Sequence, residues 1–233
     1  MTQLPLVRLL PLVRLLQLSS PALPVGAYTY SQGLEWVVES GTVRSEADVL
    51  RWIGDALRWN VASLEAPVLA ALMTAWGEGA DAEVARLNAD FLASREATEL
   101  RFETVQMGYS LVRLLSDLDA FAGLDDWKPR LRAIGEPAFP TAWSAAAAAW
   151  NIPLHDAITA YLWAWLENQV MAAVKAVPLG QSAGQRLLAE LGARLPGLAR
   201  DALRDEDEWH NFTPGLALAS CRHETQYTRL FRS

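Results

Sequence analysis

The stretch HDAITAYLWAWLENQVMAAVKAV, residues 155–177, decides the fold. Its Ala, Leu, Trp, Ile, Met and Val residues fall on nearly every side of a 3.6-residue repeat. A helix that is apolar almost all round belongs at the centre of a bundle, with other helices around it. Pro178 stops it, and Gly180 lies close behind. On the far side, SAGQRLLAELGARL reads as another helix ending before Pro196, and RDEDEWHNFTPG as an acidic, exposed loop.

Working back toward the N-terminus, an alanine-rich helix precedes residue 155, and a Gly-, Pro- and Asp-rich connection runs from Asp119 to Thr141. Before it, DAEVARLNADFLASREATELRFETVQMGYSLVRLLSDL reads as the clearest single element. Its Leu100, Thr104, Met107, Leu111, Leu114 and Leu118 recur at spacings of 4, 3, 4, 3 and 4, a stripe that wants a second helix against it. In SEADVLRWIGDALRWNVASL, Ser45 and Asp48 form a capping box and Leu50, Ile53, Leu57, Val61 and Leu64 follow at helical spacing. Pro67 predicts a break before the next helix, which ends at Gly77 and Gly79. No alternating run of β-branched residues appears. The expected fold is all-α: a single-domain helical bundle of about eight to ten helices.

Composition narrows the function. Of 233 residues, 52% are hydrophobic and 20% charged, which suits a globular core and excludes a disordered chain. A net charge of −7 gives no electrostatic footprint for nucleic acid. The uncharged run from Pro137 to Leu154 holds three prolines and does not read as a membrane span. One cysteine, Cys221, forms no intrachain disulfide and points to the cytosol. The tandem repeat PLVRLLPLVRLL (5–16) is interrupted by Arg8, Arg14 and two prolines, so it does not read as a signal peptide. Residues 1–14 are set apart as an N-terminal extension, with a helical domain over 15–222 and a tail over 223–233.

Catalytic patterns find no foothold. His223 and Glu224 open like H-E-x-x-H, but the second ligand position is Tyr227. Cys221 and His223, with Glu224, remain candidates for a weak, direct metal site, and His155, Asp156 and Lys175 for a helical enzyme. For Lys175 the favoured reading is an ammonium that snorkels past its apolar stem to water. PLGQSAGQRLL lacks the G-K-[ST] of a phosphate loop and reads as a helix–turn–helix joint, Gly180 allowing a close approach. Arg95 and Glu99 stand one helical turn apart and can pair. In LPVGAYTYSQGLE, Pro24 and Gly26 make a turn, Thr29 with Gln32 fits a capping box, and Gly33 marks a backbone that something approaches closely. In the tail, Tyr227, Leu230 and Phe231 are spaced to share one helical face, and Arg229 and Arg232 suit a carboxylate on a partner. Ten tryptophans, and eighteen arginines beside Lys128 and Lys175, fit interfaces.

Four segments, LLQLSSPALPVGAYTYSQGLE (15–35), ASREATELR (93–101), AYLWAWLENQVMAAVKAVPLGQSAGQRLL (160–188) and HETQYTRLFRS (223–233), together resemble the UreF family of urease accessory proteins. Gly26 is followed by Ala27 where the family usually has a second glycine, and Thr228 stands where it usually has Ser. The resemblance implies a non-catalytic, all-α homodimer without a cofactor. Its partners would be UreD (UreH in some organisms), the GTPase UreG and apo-urease, which receives nickel in the assembly. The family has been likened to GTPase activators, but no arginine here is assigned as a finger. Partner docking would fall to Tyr28, Tyr30, Ser31, Gln32, Gly33 and Glu35 of the turn. In the tail it would fall to His223, Glu224, Gln226, Tyr227, Arg229, Leu230, Phe231 and Arg232. Arg95, Glu99, Lys175, Pro178, Gly180 and Gln181 would be structural or interface residues.

Overall fold

Proline and glycine set most of the joints in this fold. The computed structural model describes residues 9–117 and 126–232. α1 (Leu9–Leu18) runs through the boundary expected at residue 14. A 3-10 turn (Ala27–Thr29) and the short α2 (Leu34–Glu39) follow. α3 (Glu46–Ala56) opens on the expected capping box, Ser45 accepting from the Asp48 N–H and Asp48 from the Ser45 N–H.

No break occurs at Pro67. α3 continues through a π-helical segment, Leu57–Glu65, into α4 (Ala66–Glu78). Pro67 has no N–H to offer the Ser63 carbonyl, and its ring crowds that oxygen. The wider π turns accommodate the ring, and the Ser63 carbonyl instead accepts the His210 N–H at 3.1 Å.

The stretch read as one element after Asp81 is two helices, α5 (Asp81–Ala93) and α6 (Thr98–Asp117). Leu100, Thr104, Met107 and Leu111 are buried as their rhythm predicts, but Leu115 takes the next core position while Leu114 is half-buried. Leu118 lies outside the described residues. The expected connection contains α7 (Lys128–Ala133), and α8 (Phe139–Ala149) starts within it. Small alanine side chains let α8 lie deep between α4 and α6, with Ala142, Ala145, Ala146, Ala147 and Trp143 fully buried.

α9 (Leu154–Ala176) is the central helix. Of its 23 residues only Asp156, Met171 and Lys175 are exposed. Helices α1 to α4 pack on it, as do α10 (Gln181–Gly192) and α11 (Leu195–Asp201), and α10 also touches α3. A 3-10 turn (Glu206–Glu208) leads to α12 (Pro214–His223). Nine of these twelve helices have ten residues or more, and no strand occurs among the described residues. The fold is an all-α, single-domain bundle around one continuous apolar core. The close approach between α9 and α10 is at Gly184, where a Cβ would come within 2.9 Å of Val174, and not at Gly180, which has open space around it.

Candidate functional site

Gly33 begins the site. Its φ of +77° is left-handed, and an added Cβ would lie 2.8 Å from the Ser220 nitrogen and 2.9 Å from Ala219. This is the close approach expected there: α12 crosses the backbone at the start of α2. Gln32 also has a positive φ of 52°, so it does not cap a helix with Thr29. Thr29 instead bonds back to the Gly26 carbonyl, and Gln32 turns inward. Its amide donates to Glu103 at 2.9 Å and accepts from the Trp165 indole at 2.8 Å, tying the turn to α6 and α9. Ser31 is fully buried, and the Asn168 amide donates to the Tyr30 carbonyl at 3.2 Å.

The tail lies against this turn. Glu35, only 6% exposed, accepts the Leu230 N–H at 2.6 Å and the Phe231 N–H at 3.0 Å. The Arg232 N–H reaches the Thr29 carbonyl at 2.7 Å. Arg229 pairs with Glu99 at 2.8 Å, Glu224 accepts the Glu99 N–H, and Gln226 bonds Glu39. His223 is fully buried between two carboxylates, with Nδ1 2.8 Å from Glu99 and Nε2 3.2 Å from Glu35. Turn and tail therefore form one hydrogen-bonded unit.

This arrangement corrects two expectations. The tail is not helical beyond α12, so Tyr227, Leu230 and Phe231 share no helical face. Phe231 is buried in the molecule's own core, with the Lys175 ammonium 5.8 Å above its ring, while Tyr227 and Leu230 point to solvent. Arg95 and Glu99 do not pair either. Residues 94–97 interrupt the helix, so their spacing of four no longer sets one above the other. Arg95 turns inward to Glu65 at 2.9 Å, and Glu99 turns to the tail.

Beneath the turn is a cavity of about 250 Å³. Its walls include Tyr28, Gln32, Glu65, Arg95, Glu103 and Trp165. Sequence reasoning passed over Glu65, Glu103, Tyr161 and Trp165. A signal existed for the two acids: Glu65 follows Val61 by four and Glu103 follows Leu100 by three, which puts both on core faces. The Tyr161 hydroxyl donates to Glu65 at 2.8 Å. Burial first, and next the Glu65 charge, hold this phenol well above the ordinary tyrosine range. Burial, then Glu103, also raises Tyr30, and burial raises the Glu167 carboxyl at the cavity wall.

The remaining candidates are dispersed. His155 and Asp156 stand at the start of α9 and Lys175 near its end, about 30 Å apart at 1.5 Å per residue. Cys221 is exposed, whereas both ring nitrogens of His223 are engaged by carboxylates. Among the described residues, no group of three or more His, Cys, Asp or Glu is placed to hold a metal ion. No helix among them is long and apolar enough to cross a membrane. Pro178 and Gly180 lie exposed in the joint between α9 and α10, and Gln181 opens α10.

Turn and tail are bound into one surface on this helical bundle, and the relatives of the chain are accessory proteins of urease, not enzymes. The chain is 75% identical over 226 residues to the urease accessory protein UreF of Azoarcus sp. (strain BH72), covering 97% of both chains. It is 60% identical over 227 residues to that of Dechloromonas aromatica (strain RCB), covering 96% of this chain and 98% of that one. It also matches the bifunctional urease accessory protein UreEF of Bordetella bronchiseptica, at 46% over 226 residues, or 95% of this chain and 52% of that protein. The family model described as UreF matches residues 43–192, and the chain belongs to the UreF family.

Proposed function

We propose that this protein is a cytosolic assembly scaffold for urease maturation, acting as a homodimer that binds UreD (UreH) and, through that complex, brings the GTPase UreG to apo-urease so that nickel is inserted. Nickel is cargo in this reading, and the chain itself performs no bond-making step. UreG's GTPase activity would be regulated within the assembly.

The observation that carries the reading is the union of turn and tail. Tyr28, Tyr227 and Leu230 are 64%, 103% and 72% exposed, yet they hang from a backbone fixed through Glu35, Glu99 and Arg229. Exposed apolar groups on an ordered frame bind with little further ordering cost. Arg222 lies exposed on the same segment and suits an acidic partner surface, whereas Arg229 is taken up by Glu99 and Arg232 by Tyr30.

The test is co-purification with UreD, followed by addition of UreG. The Tyr227→Ala/Leu230→Ala double variant should keep its helical circular dichroism and lose UreD. Equal capture of variant and wild type would remove the tail from the docking surface. Failure of the wild type to bind either UreD or a UreD–UreG mixture would overturn the scaffold reading.

A further inference from the structure

The ring of His223 has zero exposure, and each of its nitrogens faces a carboxylate on a different element. An ionised carboxylate can only accept a hydrogen bond. Both nitrogens donate only when the ring is an imidazolium. In the neutral ring one nitrogen is a lone pair, and here it would point at Glu35 or Glu99 from hydrogen-bonding distance. The local charge agrees. Imidazolium and the Arg229 guanidinium together balance Glu35 and Glu99, whereas a neutral ring leaves two carboxylates against one cation in a largely desolvated place.

Other charged groups around this point are accounted for. On α2, Glu39 is held by Gln226; on α6, Glu103 is bonded by Gln32; on α9, Lys175 lies over Phe231. In the tail, Glu224 accepts the Glu99 N–H and Arg232 reaches the hydroxyl of Tyr30. Arg222 on α12 itself is exposed. None of these supplies either ring nitrogen with a different partner.

We propose that His223 is a proton-dependent clamp: as an imidazolium it joins Glu35 to Glu99 and docks residues 224–232, and on losing its proton it lets them go. The same Glu35 that meets Nε2 also accepts the Leu230 and Phe231 amides, so repulsion at the ring is felt directly by the tail. The geometry gives the sense of the clamp: an imidazolium donates to both carboxylates and a neutral ring to only one, so the docked tail is held more firmly by the ring that carries the second proton. The consequence for partner binding rests on the tail being part of the docking surface; the clamp itself does not.

The experiment uses the full chain, by NMR, between about pH 6 and about pH 9. The His223 ring carbons report its titration, and the Leu230 and Phe231 amides report docking through exchange rates corrected for the intrinsic pH dependence. Protection of both amides should fall at least about tenfold in step with the ring, while a core amide such as that of Leu162 stays level. A Glu99→Gln variant should flatten this response, because a glutamine amide can donate to the unprotonated nitrogen. Protection that stays level while the ring titrates overturns the clamp, with or without a folded variant. UreD affinity at the two pH extremes separates the two readings. A clamp that opens without weakening UreD binding sinks the docking role alone. Level amides together with a Tyr227→Ala variant that loses UreD sink the clamp alone.

Discussion

At Gly33 a single missing methyl group decides whether α12 can cross the start of α2. An added Cβ would meet main-chain atoms at 2.8–2.9 Å, and φ is +77° besides, so neither rotation nor a flexible neighbour can relieve it. Gly33→Ala should destabilise the protein by at least about 2 kcal/mol in urea unfolding, combining left-handed strain with displacement of α12. Gly180→Ala is the control. Its backbone is extended with open space around it, and the substitution should be neutral or stabilising by up to about 1 kcal/mol. Tyr161 offers a different residue-level test. Burial and Glu65 keep its phenol protonated in the fold, whereas in the unfolded chain it ionises near pH 10. A raised folded value means its stabilisation is whole below about pH 10 and declines above it, as unfolding releases a proton. Absorbance titration of the five tyrosines should show Tyr161 and, less strongly, Tyr30 lagging the others until the protein unfolds.

Between α5 and α6 the Glu65–Arg95 pair does the work of a joint. The Arg95 and Glu65 side chains are 5% and 9% exposed, and Arg95 lies 4.3 Å over the Phe91 ring, so both charges are desolvated and each depends on the other. Arg95→Ala should cost about 3–5 kcal/mol, because it strands a buried carboxylate, while replacing both residues with Met should cost much less. A double-mutant cycle in denaturant measures the difference. The same joint shows what the sequence makes legible. Apolar periodicity is a property of each helix alone, so core faces could be named on α3 and α6 from spacing, and α9 recognised as central because it is apolar almost all round. Where the helix stops at Ser94, the i,i+4 relation stops with it, and Arg95 pairs across the bundle rather than along it. Pro67 failed as a helix breaker for a related reason. The Ser63 carbonyl it orphans is satisfied by His210, 147 positions later, and local rules do not see that donor.

Across the whole molecule, the parts of the site were legible as unusual residues but not as a unit. Gly33 signalled a close approach without revealing that α12 makes it, and the tail's mixture of aromatic and basic residues signalled contacts without saying with what. Long-range closure decided the matter: Glu35 accepts hydrogen bonds from residues nearly two hundred positions away, and this sorts the tail into inward and outward members. That sorting yields a prediction in which stability and binding separate. Phe231 is 7% exposed and fills space beneath Lys175, so Phe231→Ala should lower the melting temperature. Its cost should stay below about 3 kcal/mol, less than for a deeper phenylalanine, because a terminal segment can detach without opening the rest of the core. The Tyr227 and Leu230 side chains are exposed, and alanine keeps the Leu230 N–H that Glu35 accepts, so their replacement by Ala should leave the melting temperature within the range of ordinary surface changes. If they contact UreD, the same replacements should weaken that complex by about 1–4 kcal/mol. Calorimetric unfolding of the free chain, set beside titration of UreD, reads both quantities on the same three variants. Should Tyr227→Ala and Leu230→Ala unfold early, they hold the tail to its own body and are not the handle. Should Phe231→Ala bind UreD as wild type does while melting early, the tail's inward anchor and its outward contacts are energetically independent.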